Sequence, residues 1–134
     1  MTLNQRVKLL SDVPSMNEIL AAKGAVYTGG HRRRSAYTTM KKTCTQAVAN
    51  ALREQECVPT EPYSTISISI IWYEKNRRRD PDNIRAGVKF ILDGMVLAGV
   101  IKNDGFSNIA SIQDQFCVAE SKTRSVSVAW SVIK

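Results

Sequence analysis

The sequence predicts one α+β domain over residues 1–134, with helices packed on one face of a mixed β-sheet. Three features predict this class: a segment with helical apolar spacing, a strand-like segment after it, and two more strand-like segments near the C-terminus. The elements are expected in the order strand, helix, strand, helix, strand, strand. A chain of 134 residues is long enough to bury a core without disulfide or metal cross-links.

The N-terminal half is predicted to contain a strand, a loop, a helix and a second strand. The strand covers residues 6–10, and residues 11–35 are expected to form a long loop because proline and glycine interrupt them. A helix that ends before Pro59 is predicted by apolar and small residues at helical spacing. These residues are Tyr37, Met40, Cys44, Ala47, Val48, Ala51 and Leu52. Isoleucine then alternates with serine from Ile66 to Ile70, which predicts a strand with one buried face.

The C-terminal half is predicted to contain one helix and two strands. The helix is expected to begin at the motif RDPDN and to continue to about Ala98, where Gly99 favours a stop. At 100° per residue, its core-facing residues are Ile84, Val88, Ile91, Leu92 and Met95. After a turn at KNDG, strands are expected around residues 110–119 and 124–132, and these two strands are expected to pair antiparallel.

Composition favours a polyanionic partner. The formal net charge is +7, from 19 Lys and Arg against 12 Asp and Glu, which is typical of proteins that bind nucleic acid. No apolar run reaches the ~20 residues that span a bilayer, and the N-terminus lacks the features of a secretion signal. The three cysteines have no C-x-x-C spacing and are expected to be reduced. These features indicate a cytoplasmic protein with no membrane partner.

The segment RRRDPDN, which opens the second helix, places three arginines beside two aspartates. In a structural interpretation, Asp80 caps the helix, Pro81 takes its first position and Asp82 interacts favourably with its dipole. In a functional interpretation, the carboxylates bind a metal beside a basic surface that attracts a polyanion. The helical pattern favours the second interpretation, because it places Asp82, Lys89 and Asp93 together on the polar face.

Asp104, in the KNDG turn, is a third acidic candidate. Asp-Gly is also a common turn pair, so a purely structural role is an alternative. The turn follows the far end of the predicted helix, roughly 25 Å from Asp80 at the helical rise per residue. Asp104 therefore joins the other two carboxylates only if the chain folds back along the helix.

The run RRRDPDN, followed by Lys89, LDG and GVIKNDG, resembles the RusA-like Holliday junction resolvases, which occur widely in phages and prophages. The family signature is D-x-D-N, a lysine, L-D-G or L-D-A, and a later aspartate. The early segment VPSMNE is also similar to that family, and the likeness is tightest from Arg77 to Asp104. Lys89 follows Asn83 by six residues, where the shorter family pattern has three, and Arg85 is an alternative to it. The three extra residues are nearly one helical turn and keep the lysine on a similar face.

The resemblance implies a structure-specific endodeoxyribonuclease that resolves four-way DNA junctions by paired symmetrical nicks, in recombination and repair. It implies that Asp80, Asp82 and Asp104 bind Mg²⁺, with Mn²⁺ as a substitute, and that Lys89 stabilises charge on the phosphoryl oxygens. It also implies a homodimer, whose two-fold symmetry matches the paired nicks. The residues expected to contact DNA are Arg77, Arg78, Arg79, Asn83, Arg85, Arg32, Arg33 and Arg34.

Two other functions remain open from the sequence. The chain is alternatively a non-catalytic basic DNA-binding module, in which the aspartates serve only as cap and turn residues. It is alternatively a metal-dependent nuclease that acts mainly on flaps or other branched DNA. The arginines at 32–34 are interpreted either as an arm that orders on a phosphate backbone or as a solvated charged loop.

Overall fold

The computed structural model describes residues 4–9, 18–21, 36–118 and 124–133. Its elements are β1 (Asn4–Leu9), α1 (Ala36–Glu54), β2 (Thr65–Glu74), α2 (Pro81–Arg85), α3 (Val88–Ala98), β3 (Ile109–Val118) and β4 (Ser125–Ile133). The α+β class and the order of elements are as predicted, with the second helix divided in two. Residues 18–21 are helical, so the loop prediction is wrong there. The rest of the predicted loop lies outside the described residues.

The sheet has the strand order β1-β4-β2-β3. Strand β2 pairs antiparallel with β4 on one side and parallel with β3 on the other. The prediction that the two C-terminal strands pair with each other is therefore wrong. A helical connection returns the chain to the start of β2, so the next strand becomes a parallel neighbour of β2. Strand β4 then pairs with the opposite edge of β2.

The predicted continuous helix after RDPDN is also wrong, because it breaks at Ala86 and Gly87. The Gly87 N–H donates to the carbonyl of Ile84 at 3.2 Å, which is three residues back instead of the four of an α-helix. Helix α3 begins at the next residue. Glycine is a poor helix former, which makes this position a natural break. The predicted end of the helix is confirmed: Gly99 is left-handed, with φ of 91°, and its N–H caps α3.

The core lies between the sheet and the helices α1 and α3. From β2, the buried side chains are those of Ile66, Ile68, Ile70 and Trp72, each at most 1% exposed, which confirms the predicted buried face. Helix α1 buries Val48, Ala49 and Leu52, and α3 buries Phe90, Ile91, Leu92, Gly94 and Met95. The predicted core-facing residues of the second helix are confirmed, with Val88 only partly buried at the edge of the core.

The three cysteines are all free thiols, as predicted. Within the part of the chain that the structure describes, no helix has the length and apolar character needed to cross a bilayer.

Gly94 marks the close approach of α3 to α1. A methyl group at Gly94 would overlap the Val48 side chain and would lie 3.1 Å from the carbonyl oxygen of Thr45. We expect Gly94→Ala to lower the free energy of unfolding, because overpacking costs about 1–3 kcal/mol. A gain in helix propensity of up to about 1 kcal/mol offsets part of this cost. Urea denaturation of the variant and the parent protein measures the difference.

The matched control is the double variant Val48→Ala with Gly94→Ala, which removes Cγ1 of Val48, one of the two atoms that the new methyl group would overlap, and leaves Cβ in place. We expect its loss of stability to be smaller than the sum of the two single losses, since the two positions are in contact. Strictly additive losses, or a stabilised Gly94→Ala protein, would contradict the close approach of the two helices.

Candidate functional site

Asp80 and Asp82 lie at the start of α2, where β2 has ended and the chain turns back. Asp80 occupies the N-cap position with extended backbone, but its carboxylate makes no capping hydrogen bond. The Asp82 carboxylate accepts only the backbone N–H of the neighbouring Asn83, at 3.0 Å. Both residues are exposed, and neither forms an ion pair with another described residue. Asp80 therefore occupies the N-cap position through its backbone conformation, and its carboxylate does not cap the helix.

Lys89, in the first turn of α3, lies at the centre of a second group of charges. Its Nζ is 3.2 Å from Oδ1 of Asp93 and 3.9 Å from Oδ2 of Asp104. The Asp93 carboxylate also lies 4.0 Å from Nζ of Lys41 on α1. Asp93 and Lys89 are four residues apart on one helix, so their contact follows from helical geometry, and their predicted position on one face is confirmed. The contact with Asp104 does not follow from helical geometry and requires tertiary folding.

The loop after α3 brings Asp104 to Lys89. Val100 and Ile101 are buried directly after the helix, so the chain turns across the core before it reaches the loop. Further along, the Asn108 side chain donates to the carbonyl of Ser64 at 2.8 Å, which fixes the loop to the start of β2. The chain therefore does return toward the helix, which the sequence left open, and the return carries Asp104 to Lys89.

The return does not assemble the three predicted carboxylates. Among the described residues, no group of three or more His, Cys, Asp or Glu side chains is placed to bind a metal ion. Asp80 lines a cavity of about 320 Å³ at the carboxyl ends of β2 and β3, together with Glu74 and Val118. Asp104 lines a groove of about 460 Å³ at the amino end of β3. Because β2 and β3 are parallel, the cavity and the groove lie at opposite ends of these two strands. In this chain alone, the three residues therefore do not form a complete Mg²⁺ site.

The predicted DNA-contacting arginines differ in their environments. Arg77 and Arg78 are exposed and form no ion pair within the described ranges. Arg79 is instead paired with Glu18 at 3.0 Å, and Arg124 lies 3.3 Å from the same carboxylate. The other three, Arg32, Arg33 and Arg34, lie outside the described residues. Two of the arginines before Asp80 are thus available to an external anion, whereas the third already has an internal partner.

Asp114, on β3, is a charged residue that sequence reasoning missed. Its Oδ1 accepts the indole N–H of Trp72 at 2.7 Å, and its Oδ2 accepts Nε of Arg85 at 2.6 Å. The Asp114 side chain is only 9% exposed, so both bonds are largely shielded from water. A signal was present in the sequence: Asp114 lies two residues from both Ile112 and Phe116, on the apolar face of an alternating strand. An acid in such a position needs a buried partner.

The environment of Lys89 favours its charged form. The hydrogen bond to Asp93 raises the pKa of Lys89 above its ordinary value of 10.5, and the negative charges of Asp93 and Asp104 act in the same direction. Partial burial lowers the pKa and only partly offsets them. Lys89 therefore remains protonated at neutral pH. Its Nζ is held between two carboxylates while half of the side chain stays exposed.

Comparisons with known proteins do not identify the site. No protein-family model matches the sequence, and no curated protein matches it significantly. The interpretation of the site therefore depends on the chemistry of its own residues.

We expect Asp93→Asn to lower the pKa of Lys89, because the substitution removes both the charged hydrogen-bond acceptor and the nearest negative charge. In the parent protein, the Lys89 ion pairs contribute stability below pH 10.5, and that contribution is lost as the pH rises through the raised pKa. In the variant, less stability is expected to be lost at high pH, and the loss is expected to be complete at a lower pH. Titration of the Lys89 side-chain NMR signals measures the shift. Lys102, which is exposed, serves as the internal control, and an unchanged Lys89 pKa would contradict the arrangement.

We expect Asp114→Ala to lower the free energy of unfolding by about 1–3 kcal/mol, because it leaves the buried Trp72 N–H without an acceptor. Chemical denaturation measures the loss. In a Trp72→Phe background the donor is absent, so the same substitution is expected to cost less. Asp82→Ala, which removes no long-range contact, is the matched control and is expected to change stability by at most about 0.5 kcal/mol. Equal losses in both backgrounds would rule out the Trp72–Asp114 bond.

Proposed function

We propose that this protein is a metal-dependent, structure-specific endodeoxyribonuclease that resolves four-way DNA junctions by paired nicks, as RusA-like resolvases do. The observation that carries the proposal is the 3.9 Å contact of Lys89 with Asp104. These residues are 15 positions apart in the sequence, and each matches a separate part of the family signature. A purely structural turn at KNDG does not require this contact, whereas the family signature associates the two residues.

Unpaired charges at the start of α2 support the same function. Asp80 and Asp82 carry exposed carboxylates that no described side chain neutralises, and Arg77 and Arg78 are exposed just before them. Carboxylates next to a basic segment repel a polyanion and weaken its binding unless a cation neutralises them. In the proposal, the arginines bind neighbouring phosphates of the DNA, and the formal charge of +7 steers the protein to its substrate.

Metal dependence is part of the proposal and requires the bound DNA. Mg²⁺ in nucleic-acid enzymes is commonly held by one or two carboxylates together with substrate phosphates and water. Asp80 and Asp82 are the residues that would hold Mg²⁺, or Mn²⁺ in its place, and Asp104 is proposed to join them in the complex with DNA. When bound, the metal would supply an activated water and neutralise charge on the scissile phosphate.

Lys89 has its own part in the proposed reaction. Its raised pKa keeps the ammonium group charged, and Asp93 holds it in the first turn of α3. A fixed positive charge at this position stabilises negative charge that develops on the phosphoryl oxygens. Arg85, whose Nε is bound to Asp114, is the alternative for this role.

The proposed assembly is a homodimer in the cytoplasm of a bacterial cell or a phage-infected host. Resolution requires nicks in two strands related by two-fold symmetry, and two identical sites supply that symmetry. The proposed biological role of this reaction is in DNA recombination and repair.

One observation favours a second candidate, a basic DNA-binding module without catalysis. Within the described residues the three carboxylates do not form a metal-binding group, and Asp104 is already neutralised by Lys89. In that case the protein binds branched DNA through its arginines and leaves it intact. The nuclease is preferred because, among the described residues, the carboxylates of Asp80 and Asp82 make no hydrogen bond beyond the one from the neighbouring Asn83 N–H.

We expect the parent protein with Mg²⁺ to nick a labelled synthetic four-way junction at paired positions and to leave a linear duplex of the same sequence uncut. Asp82→Asn and Asp104→Asn are each expected to lower the cleavage rate by about 100-fold or more, the usual effect of removing one group that stabilises the transition state. Asp82→Asn should retain junction binding or tighten it, because a negative charge near phosphate is removed. Gel-based cleavage and binding assays measure the two effects separately.

The matched control is Glu54→Gln at the end of α1, which removes an exposed negative charge from a residue that has no part in the proposal and should cleave at the parent rate. Junction binding without any cleavage by the parent protein, in Mg²⁺ and in Mn²⁺, would exclude the nuclease and leave the binding module. Faster cleavage of flaps than of four-way junctions would make other branched DNA the substrate.

A further inference from the structure

Phe106 is the most exposed large apolar side chain among the described residues. Its ring is fully in solvent, whereas the other five exposed large hydrophobic side chains are 37–57% exposed. Leaving such a ring in water forgoes most of the ~2 kcal/mol that burial of a phenylalanine provides. A fully exposed ring two residues from Asp104 therefore needs a reason.

The exposure of Phe106 does not come from a loosely held loop. Before the ring, the Gly105 N–H donates to Oδ1 of Asn103 at 3.1 Å, and after it the Asn108 N–H donates to the carbonyl of Gly105 at 3.0 Å. The Thr65 hydroxyl also donates to the carbonyl of Ser107 at 2.8 Å. The loop is thus fixed on both sides of the ring, and it presents Phe106 to solvent in a defined position.

Arg85 is held at the same groove. Its Nε is bound to the shielded Asp114 carboxylate, which fixes the guanidinium plane. The two Nη groups have no hydrogen-bond partner among the described residues, and 48% of the side chain is exposed. Arg85 and Phe106 both line the groove of about 460 Å³ that also contains Asp104. An arginine fixed through Nε keeps its Nη donors available for a phosphate.

The two side chains supply complementary parts of a nucleotide site. An aromatic face that is open to solvent is suited to stack on a nucleobase, which is sequence-tolerant because every base has a π-face. A guanidinium with free Nη groups is suited to the phosphate that links this base to the next. In paired duplex DNA the base faces are covered by their neighbours, so a ring of this kind can be used only where stacking is interrupted.

We propose that Arg85 and Phe106 form a binding site for one unstacked nucleotide of DNA, such as a nucleotide at a branch point. Phe106 stacks on the base and Arg85 binds its phosphate. The inference rests on the proposed function only in taking DNA as the ligand, and it does not depend on cleavage. It places the discrimination between branched and linear DNA next to Asp104 and Lys89.

The experiment measures binding of Phe106→Ala to a four-way junction and to a linear duplex, in buffer without divalent metal so that no cleavage occurs. We expect junction affinity to fall by about 5- to 150-fold, the equivalent of the ~1–3 kcal/mol per base that stacking contributes. Duplex affinity should not change. Phe106→Trp should keep the junction affinity, whereas Phe106→Leu, which is apolar but has no ring, should lose it.

Salt dependence separates the two roles. Phe106→Ala removes no charge, so the slope of log affinity against log salt concentration should stay the same. Arg85→Ala should make that slope shallower by about one unit, the effect of losing one phosphate contact. The control Leu97→Ala removes an exposed apolar side chain from the other end of α3 and should change neither quantity. Thermal unfolding should be unchanged in Phe106→Ala, because the ring has no internal packing to lose.

Each outcome decides the proposal. Equal loss of junction and duplex affinity, or full affinity in Phe106→Leu, would overturn base stacking. Conversion of a dimer to a monomer by Phe106→Ala, seen by analytical ultracentrifugation, would assign the ring to a subunit contact and overturn it as well. If the parent protein never cleaves but Phe106→Ala selectively loses junction binding, the nucleotide site stands and the nuclease fails. If cleavage and junction binding both survive Phe106→Ala, the nuclease stands and the nucleotide site fails.

Discussion

The parallel pairing of β2 with β3 is the constraint on which the rest of the structure depends. Two parallel neighbours cannot be joined by a tight turn, so the chain between them must travel the length of the sheet and return. Here α2 and α3 make that return over the buried face of β2, and the loop with Asp104 completes it. This connection carries the proposed site residues Asp80, Asp82, Lys89 and Asp104.

The parallel pairing of β2 with β3 also divides the candidate site into two separate parts. Asp80 lies where the connection leaves the carboxyl end of β2, and Asp104 lies where it enters the amino end of β3. Lys89 reaches Asp104 because it lies part-way along the connection, after the break at Gly87. In the proposed function, one DNA strand along α2 and α3 contacts both the two carboxylates at one end and the lysine–aspartate pair further along. A small ligand would meet only one end.

The charged residues on the connection and on β3 are of two kinds. Asp114 is shielded from water and bound by two donors, so its contacts with Trp72 and Arg85 are strong and fix the position of both partners. The Lys89 pairs are half-exposed, and pairs of this kind contribute about 0–1 kcal/mol to stability. Lys89 is therefore positioned by its carboxylates more than it stabilises the fold. Asp80 and Asp82 form no ion pair with another described residue, so their carboxylates remain available to a ligand.

The sequence alone determined the elements, because their signals are local. The alternating isoleucines of β2, the helical spacing of α1 and the stop at Gly99 each depend on neighbours within a few residues, and each is confirmed. The contact of Lys89 with Asp93 belongs to the same kind, since a four-residue step in a helix fixes it. The break at Gly87 was missed because core-facing apolar residues continue in register across it, and periodicity does not report the missing hydrogen bond.

Only the tertiary structure decided how the elements meet. The placement of β2 between β3 and β4 could not be read from alternation, because alternation shows which face of a strand is buried and does not show which strands pair. The contacts of Asp104 with Lys89 and of Asp114 with Trp72 join residues 15 and 42 positions apart, so no local spacing encodes them. The resemblance carried by RDPDN and KNDG named the candidate residues. The direction in which β3 pairs with β2 decided which of these candidate residues come together.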